Sequence, residues 1–565
     1  MRRTRTIVAI VLLLLAVAAG GFIGWRYARP AVQPRGLVRP IVPLPSVLPT
    51  VTIELPQPPG MDPDADGIKV ATFLGNETRR FYGVGPVPEK LQIIWKHSIG
   101  GGLTGGTAKS AETTPPPGVP KGMVMWHGTG WTGQPALVRE KGKLYLLVGG
   151  FDHNLVKMDA ETGKELWEYE YDDVIKGSPT VCEDPSAPGD PSRYVVMVGS
   201  RRGFPRSISA GDIAPYRAVS YATGEELWRL PVPHTRSYSR DADGSGFVLD
   251  GIAYVGVESG NMYRLDPFST VSWQGYRSPK VLSETLLLGD KRSSSHGGNL
   301  VLESSPALLG DRVYVASGAG HVYGMNKDTL KVEWDYFIGS DVDGTVAVTS
   351  DGFLIVPVEK QYIKGKGGLL KLDPSKKPED ALVWFFPTGN RAFGDWQGGV
   401  IGSPSVNDEA NGAGDKPALA ACTGIDGNLY VVSQDALARQ PVTGPALEKG
   451  LATPVEVFRD NIGGAISTPI MVDDYVIAAG YGATVSVYRI TYTPGAGGPG
   501  VALTSRDGDP VSVSVKRVAR FAGGGSYEST PIVWQGRIYI GSRDGSFYCI
   551  GDPDYVPETR APVEP

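Results

Sequence analysis

Three aspartates near the start of the chain have a spacing that could bind a metal ion. Asp62, Asp64 and Asp66 alternate with other residues and precede Gly67, which is how the calcium-binding loop of an EF-hand begins. The twelfth position of such a loop should carry a glutamate, and here it is Phe73. Two interpretations follow: a calcium site at the three aspartates, or a solvated acidic turn without an ion.

A second acidic motif has a similar form. The run DADGSG at residues 241–246 alternates oxygen-bearing side chains and again lacks a closing glutamate. Two further acids, Glu303 and Glu528, stand just before Ser-Pro or Thr-Pro sequences. Sequence spacing alone does not assemble these acids into a metal site, so we expect them to cap strands or turns.

The histidines and cysteines give no catalytic pattern. No Ser or Cys partner stands at an interpretable spacing from His127, His153, His296 or His321, so no hydrolase triad is predicted. The three cysteines are far apart and lack the spacing of metal or haem ligands: Cys182, Cys422 and Cys549. We expect buried free thiols, with one bridged pair as the alternative in an exported protein. No catalytic residue is predicted.

A repeated β unit must position these side chains, and residues 144–179 are its clearest copy. Three runs rich in Leu, Val and aromatic residues, at 144–148, 155–158 and 165–169, are bounded by Gly, Asp or Asn, which is typical of strands joined by tight turns. A fourth strand begins after Pro179, because proline suits the first position of a strand. The unit is therefore a four-stranded meander.

The unit recurs along the chain. Thr223-Gly-Glu-Glu-Leu-Trp228 repeats Thr162-Gly-Lys-Glu-Leu-Trp167, and residues 326–334 give a looser copy. The proline that starts a unit returns at Pro306, Pro404, Pro469 and Pro531. With weaker copies in the gaps we count about eight units, spaced as in a β-propeller. The stretches 266–299 and 493–510, rich in Gly, Pro and Ser, are predicted to be loops between units.

The pattern Ser-Pro, strand, Gly-x-x-Tyr strands and Asp-x-x-Thr-Gly-x-x-x-Trp resembles the repeat of the quinoprotein-type, or PQQ-repeat, β-propeller superfamily. The resemblance covers residues 91–552 and implies an all-β, eight-bladed propeller of four-stranded antiparallel blades. The superfamily contains quinone-dependent alcohol dehydrogenases and non-enzymatic BamB-like proteins, so the fold alone does not decide function. For the dehydrogenases it implies a disulfide between adjacent cysteines, packed on the quinone, with Glu, Asn and Asp ligands holding calcium.

Five tryptophans at the repeated position are expected to pack between blades: Trp95, Trp167, Trp228, Trp334 and Trp384. The last unit ends at Asp552 without such a tryptophan, and the segment around Trp95 has the missing strand's pattern. We therefore predict that the N-terminal strand completes the C-terminal blade and closes the ring.

Three other tryptophans stand in Gly-rich loops, outside the repeated position. Trp126, His127 and Trp131 share one loop, and Trp396 lies in another. Exposed loop aromatics can anchor a peptide or a glycan, whereas buried ones would cap the end of a blade. These four residues are our candidates for partner binding.

The N-terminal residues predict export. Residues 7–25 are apolar and follow three arginines, which fits a transmembrane signal-anchor helix over residues 1–28. The alternative is a cleaved signal peptide, because Ala16-Val-Ala18 could be a processing site. Residues 29–60 form a Pro-rich linker, 61–90 an extended segment with the acidic turn, and 553–565 a Pro-rich tail. The expected location is the bacterial inner membrane, single-pass, with the propeller in the periplasm.

Charge and cysteine content argue against two classes of function. A net charge of −5 without a basic block in the propeller argues against nucleic-acid binding. Because no two cysteines are adjacent, pyrroloquinoline quinone is not expected, although Ca²⁺ is an open alternative. We predict a monomeric, non-catalytic scaffold that binds an envelope protein or peptide, as BamB-like members do. The alternatives are a PQQ-dependent alcohol or sugar dehydrogenase with an atypical site, and a carbohydrate-binding or sensor ectodomain.

Overall fold

The computed structural model describes residues 62–105, 122–131, 133–203, 206–394, 396–409 and 414–555. Within this part of the chain the fold is all-β, and the predicted eight-bladed propeller is confirmed. The predicted membrane helix and linker lie outside the described residues, as does the tail from residue 556 onward. None of the helices in the described ranges is long and apolar enough to cross a membrane.

Five strands precede the first complete blade. They are β1 (Gly67–Val70), β2 (Gly83–Val84), β3 (Gln92–Ser98), β4 (Gly101–Gly105) and β5 (Met123–His127). The last two pair with each other as a separate hairpin.

Blades 1 to 4 are antiparallel meanders of four consecutive strands. Blade 1 contains β6 (Ala136–Glu140), β7 (Lys143–Gly149), β8 (Asn154–Asp159) and β9 (Glu165–Glu170); blade 2 contains β10 (Thr180–Cys182), β11 (Val195–Gly199), β12 (Tyr216–Ser220) and β13 (Glu226–Leu230); blade 3 contains β14 (Phe247–Leu249), β15 (Ile252–Gly256), β16 (Asn261–Trp273) and β17 (Tyr276–Leu286); blade 4 contains β18 (Ala307–Leu309), β19 (Arg312–Ala316), β20 (His321–Asn326) and β21 (Val332–Phe337).

Blades 5 to 8 continue the ring. Blade 5 contains β22 (Ala347–Val348), β23 (Leu354–Val358), β24 (Gly368–Leu372) and β25 (Leu382–Pro387), and is followed by the hairpin β26 (Asn390–Phe393) and β27 (Trp396–Gly398); blade 6 contains β28 (Ser405–Val406), β29 (Leu419–Thr423), β30 (Asn428–Leu437) and β31 (Pro454–Asn461); blade 7 contains β32 (Ile470–Val472), β33 (Tyr475–Gly480), β34 (Thr484–Pro494), β35 (Val501–Thr504) and β36 (Pro510–Ala522); blade 8 contains β37 (Ile532–Trp534), β38 (Arg537–Ser542) and β39 (Ser546–Gly551). Short 3₁₀ helices cover Pro191–Arg193, Lys291–Ser295 and Pro378–Asp380.

Two predicted loops contain strands. Much of 266–299 is a long hairpin formed by β16 and β17, and 493–510 contains β35, which pairs with β36. The Gly, Pro and Ser content of these stretches predicted loops, because their strands are largely solvent-exposed and contain few buried apolar residues.

The repeated tryptophans link neighbouring blades. Each indole N–H donates to a backbone carbonyl of the next blade around the ring: Trp95 to Ala160, Trp167 to Tyr221, Trp228 to Pro267, Trp334 to Lys376 and Trp384 to Gln434, over 2.8 to 3.0 Å. The Thr-Gly turn that precedes the tryptophan is also part of this contact. A Cβ on Gly163, at φ 68°, would lie 2.5 Å from the Trp95 ring, so the turn requires glycine.

Replacing Trp228 with alanine is expected to lower the free energy of unfolding by about 3 to 5 kcal/mol, because a fully buried ring leaves a cavity. Trp167→Ala should cost less, since its ring is only partly buried. Urea denaturation of both variants measures the difference. Trp228→Phe is the control, because it keeps a ring and loses mainly the N–H donor. If both alanine variants lowered the free energy of unfolding by the same small amount, the packing role of Trp228 would be contradicted.

The N-terminal strand closes the ring as predicted. β3 pairs antiparallel with β39 in blade 8, with Trp95 opposite Cys549. Blade 8 therefore combines strands from both ends of the propeller, with β3 as its outermost strand.

Residues 67–90, here called the strap, cross the base of the channel. β1 pairs with β6 of blade 1, and β2 runs parallel to β37 of blade 8. Between them, strap carbonyls accept hydrogen bonds from N–H groups of blades 2, 4 and 5: Val181 to Ala71, Leu308 to Glu77 and Val348 to Thr78. The strap thus uses the free edges of the innermost strands and occupies one end of the channel.

Arg79 fixes the strap to the ring. Its side chain is fully buried, and its guanidinium donates to the carbonyls of Phe73, Ser245, Gly246 and Pro306 at 2.7 to 3.2 Å. Two of these acceptors lie at the start of blade 3 and one at the start of blade 4. One buried cation therefore satisfies carbonyl groups from the strap and two blades.

Candidate functional site

A cavity of about 540 Å³ lies at the mouth of the channel, opposite the strap. Six carboxylates line it and come from two kinds of connection. Asp241, Glu303, Asp341 and Asp343 precede the innermost strands of blades 3, 4 and 5, while Glu258 and Glu359 lie between the second and third strands of blades 3 and 5. The strap instead contacts the turn between β37 and β38. Because successive turns of a meander lie at opposite ends, the acids and the strap face opposite ends of the ring.

A ring of hydrogen bonds positions the connections at the mouth. One residue just before the innermost strand of each blade donates its backbone N–H to the side-chain hydroxyl of the equivalent residue in the next blade. The seven bonds, 2.7 to 3.3 Å long, run from Gln134 to Ser178, Ser178 to Ser245, Ser245 to Ser305, Ser305 to Thr345, Thr345 to Ser403, Ser403 to Thr468 and Thr468 to Thr530. Thr530 then donates to the Gly133 carbonyl. The Ser or Thr of the sequence repeat therefore joins blades, in addition to starting strands.

The residues two positions before each of these hydroxyls form an equivalent set around the ring, which we call the mouth ring. From blade 2 to blade 5 it consists of Lys176, Asp243, Glu303 and Asp343. In blades 6 to 8 the same position holds Ile401, Ile466 and Glu528. Charged residues thus hold this position in blades 2 to 5 and in blade 8, and apolar residues hold it in blades 6 and 7.

One group of acids, the open cluster, comprises Asp341, Asp343 and Glu359. One carboxylate oxygen from each lies within 4.8 Å of the other two. Asn299 Nδ2 donates to Asp341 Oδ2 at 2.5 Å, whereas Asp341 Oδ1, Glu359 Oε1 and Asn299 Oδ1 are buried without a donor. No Lys or Arg in the described ranges forms an ion pair with these three acids. Three carboxylates therefore converge without an ion pair to a basic side chain in the described ranges.

The second group, the closed cluster, comprises Asp243, Glu258 and Glu303 and has the same oxygen spacing. The Lys176 ammonium contacts Asp243 and lies 4.0 Å from a Glu303 oxygen and 4.1 Å from the centre of the Trp131 ring. This cluster is therefore partly neutralised by the chain itself.

Burial is the main cause of the raised pKa values in the open cluster. It raises the pKa of Asp341 to about 7, helped by the nearby charge of Glu303 and opposed by the hydrogen bond from Asn299. Burial and the Asp341 carboxylate also raise the pKa values of Asp343 and Glu359 well above the usual range. Acids so placed bind protons more tightly than in the unfolded chain, and a metal ion would take the place of those protons.

The cation-free chain is therefore expected to lose stability as the pH rises. Below pH 4 Asp341 is protonated in both states; between about pH 4 and 7 only the folded state keeps the proton, so the free energy of unfolding falls across this window. Thermal unfolding in EDTA at pH 5 and pH 8 measures the change. Asp341→Asn should reduce the pH dependence, and an unchanged dependence in this variant would assign it to other groups.

Two arginines, Arg201 and Arg202, line the same cavity as the acids, and we call them the basic wall. Arg201 Nε donates to Asp241 Oδ2 at 2.8 Å, and Arg201 Nη1 donates to Thr104 at 2.8 Å. Burial opposes ionisation of Asp241, but the charge and hydrogen bond of Arg201 lower its pKa. Arg202 also lines the cavity, and its Nε is buried without an acceptor. The mouth thus offers donors for an anion beside an acidic pocket for a cation.

The loop aromatics lie at this site. Trp126, Trp131 and Trp396 line the cavity, but they are 2%, 8% and 8% exposed and form its walls rather than projecting from it. Trp131 and Trp396 contact each other with ring centroids 6.1 Å apart. His127 is exposed and is not among the residues that line the cavity.

The acidic turn at 62–66 lies elsewhere, on the strap side. Both Asp66 oxygens accept backbone N–H groups, of Lys141 at 2.8 Å and Gly142 at 2.9 Å, and Asp64 accepts from Gln535 at 2.9 Å. These bonds attach the turn to blades 1 and 8. A calcium ion at Asp62, Asp64 and Asp66 stays a prediction.

The sequence motifs contain only some of the acids that lie at the mouth of the channel. Asp243 stood out within a calcium-loop-like motif and Glu303 with an expected capping or turn role, whereas Asp341, Asp343 and Glu359 were missed. A signal was present: DVDGT at 341–345 repeats DADGS at 241–245. Glu528 is separate from the two clusters, since it pairs with Arg543 at 2.8 Å and accepts from Tyr481 at 3.0 Å.

The sequence spacing indicates no serine partner for His321, but the fold brings one to it. Ser293 Oγ lies 3.0 Å from His321 Nε2, and His321 Nδ1 lies 2.6 Å from Asp335 Oδ1. The arrangement resembles a catalytic triad, but Ser293 is buried and its hydroxyl donates to the Ala319 carbonyl at 2.7 Å. We assign it a structural role in blade 4. The three cysteines are buried free thiols, as expected.

A family model described as outer membrane protein assembly factor BamB matches residues 92–275 and 209–379, which together cover just over half of the chain. A search of curated proteins gave no match. Among solved structures, BamB from Moraxella catarrhalis is 14% identical with a TM-score of 0.40, covering 80% of this chain and 99% of that one. Quinohemoprotein alcohol dehydrogenase from Comamonas testosteroni is 12% identical with a TM-score of 0.49, covering 88% and 82%. A europium-containing methanol dehydrogenase is 10% identical with a TM-score of 0.47, covering 85% and 90%.

Proposed function

Because the chain belongs to the PQQ-repeat propeller family described as outer membrane protein assembly factor BamB, we propose that it is a non-catalytic binding platform of the cell envelope. Its binding site is the mouth of the channel, built around a hard cation such as Ca²⁺. Residues 1–28 hold the platform at the inner membrane, as their apolar pattern predicts.

One observation supports the cation above all others: buried oxygens converge in the open cluster without donors. Asp341 Oδ1, Glu359 Oε1 and Asn299 Oδ1 have no hydrogen-bond partner. A buried polar atom without a partner costs about 1 to 3 kcal/mol, and more when it is charged. A cation among these oxygens would offset the penalty, as metal ions do in carboxylate sites.

The donor set favours a particular class of ion. Carboxylate and amide oxygens are hard ligands, which suit Ca²⁺ or a trivalent lanthanide ion. Mg²⁺ fits less well, because it usually keeps several waters and is held by only one or two carboxylates. Asp341, Asp343, Glu359 and Asn299 would hold the ion.

The basic wall suggests what the cation helps to bind. Arg201 and Arg202 face the same cavity as the open cluster. A carboxylate of an envelope protein or peptide could reach the cation with one oxygen and the guanidinium of Arg202 with another. The walls formed by Trp126, Trp131 and Trp396 would pack against the rest of the segment.

A Tb³⁺ titration of the purified full chain in detergent, after removal of metal with EDTA, tests the proposal. Trp131 and Trp396 should sensitise Tb³⁺ luminescence, and Ca²⁺ should compete for the ion. We expect one saturable site at the mouth. The proposal is overturned if Tb³⁺ does not bind saturably, or if binding disappears in Asp64→Asn but persists in Asp343→Asn.

A quinone-dependent oxidoreductase is the second candidate, favoured by the same acid cluster beside basic and aromatic groups. A bound quinone would accept two electrons from an alcohol. The cation ligands fit that chemistry, but the adjacent cysteines that the resemblance implies for the quinone are missing from the sequence. Titration with pyrroloquinoline quinone and Ca²⁺, followed by an artificial-acceptor assay with alcohols and aldoses, distinguishes the two. Saturable quinone binding with turnover would replace the platform.

A further inference from the structure

The two acid clusters have the same number of carboxylates but differ in their basic partners. Each contributes three carboxylates with oxygens within 4.8 Å of one another. In both, buried oxygens lack donors: Asp243 Oδ1, Glu258 Oε1 and Glu303 Oε2 in the closed cluster, and Asp341 Oδ1 and Glu359 Oε1 in the open one. Only the closed cluster has an ion pair with a lysine from the described part of the chain.

Lys176 reaches the closed cluster because it occupies the mouth ring. It stands two residues before Ser178, whose N–H donates to Ser245 at 2.8 Å, so its backbone is joined to the connection that carries Asp243. Gly177 allows this approach, since a Cβ there would lie 2.6 Å from the Asp243 carbonyl oxygen. The side chain is 8% exposed and packs over Trp131. The ammonium is therefore held in place by backbone geometry and by aromatic packing.

We infer that Lys176 sets the number of cations in the channel to one, an inference that rests on the proposed function. Its ammonium occupies the position in the closed cluster that a metal ion would take. A metal ion there would also be repelled by the ammonium, at short range and in a poorly solvated site. The equivalent ring positions in blades 3, 4 and 5 carry acids, so one basic residue partly neutralises the closed cluster and leaves the open cluster without an ion pair.

Removal of the Lys176 charge should create a second site. Lys176→Met keeps much of the aliphatic length and removes the ammonium, whereas Lys176→Arg keeps the charge. We expect native mass spectrometry and Tb³⁺ luminescence to count one ion in the original chain, two in Lys176→Met and one in Lys176→Arg. Asp243→Asn added to Lys176→Met should return the count to one, because it removes a ligand from the new site.

The outcomes separate this inference from the proposed function. If the original chain binds no ion at the mouth, the proposed function fails. If the original chain binds one ion and Lys176→Met also binds one, only the role of Lys176 is overturned. If Lys176→Met does not fold, Lys176→Gln replaces it, because glutamine keeps a polar group beside Asp243. Two bound ions in Lys176→Gln would support the role of Lys176, and one bound ion would overturn it.

Discussion

Replacing Asp343 with asparagine is expected to weaken Tb³⁺ binding at the channel mouth at least about 100-fold. Changes to groups that merely support metal ligands cost about 10- to 100-fold in affinity, and loss of a charged ligand should reach or exceed that range. Asparagine preserves the shape and one oxygen of the side chain, so the effect isolates the negative charge. Luminescence titration of the purified chain measures the affinity.

Asp64→Asn is the matched control for this change. It removes one carboxylate from the acidic turn on the strap side, where Asp64 is exposed and accepts from Gln535. Its Tb³⁺ affinity should equal that of the original chain. Equal affinities for all three proteins would show that the open cluster does not hold the ion.

Replacing Arg79 with methionine is expected to lower the free energy of unfolding by about 3 kcal/mol or more. Methionine fills much of the space but leaves the carbonyls of Phe73, Ser245 and Pro306 without a buried donor, at roughly 1 to 3 kcal/mol each. Removing a buried charge recovers part of that loss. Urea denaturation followed by tryptophan fluorescence measures the change.

Arg459→Met serves as the comparison for Arg79. Arg459 is exposed and pairs with Glu456 on the surface, a contact that contributes about 0 to 1 kcal/mol. A loss for Arg79→Met as small as that for Arg459→Met would show that the strap is attached mainly by its strand pairing with blades 1 and 8.

The strap explains how the mouth can be a pocket in a fold that encloses a channel. Its backbone pairs with the inner strands of blades 1 and 8, and Arg79 bonds to the starts of blades 3 and 4. A ligand at the acidic mouth would therefore rest above the strap and exchange through the mouth. Among the described residues, the strap supplies none of the side chains that line the cavity.

The sequence by itself determined the fold of this protein, because the propeller is a local structure repeated. Each strand, each Thr-Gly turn and each starting proline is encoded within a few dozen residues, and the period reveals the number of blades. Ring closure was also predictable, because the last repeat lacks the strand that carries the repeated tryptophan. The segment around Trp95 has the pattern of that strand, and it pairs with the last blade. The long hairpin β16–β17 escaped prediction because its exposed strands carry no alternating apolar pattern.

Only the tertiary structure decided which acids meet. Asp243 and Glu303 are 60 residues apart in the sequence, and Glu303 and Asp343 are 40 apart. They become neighbours because hydrogen bonds join the starts of the innermost strands of successive blades around one channel. The role of Lys176 depends on the same geometry, since its distance from Asp243 follows from the hydrogen bond between Ser178 and Ser245. Local patterns encode the blades, whereas the charge of the mouth arises where eight blades converge, and no single stretch of sequence contains that convergence.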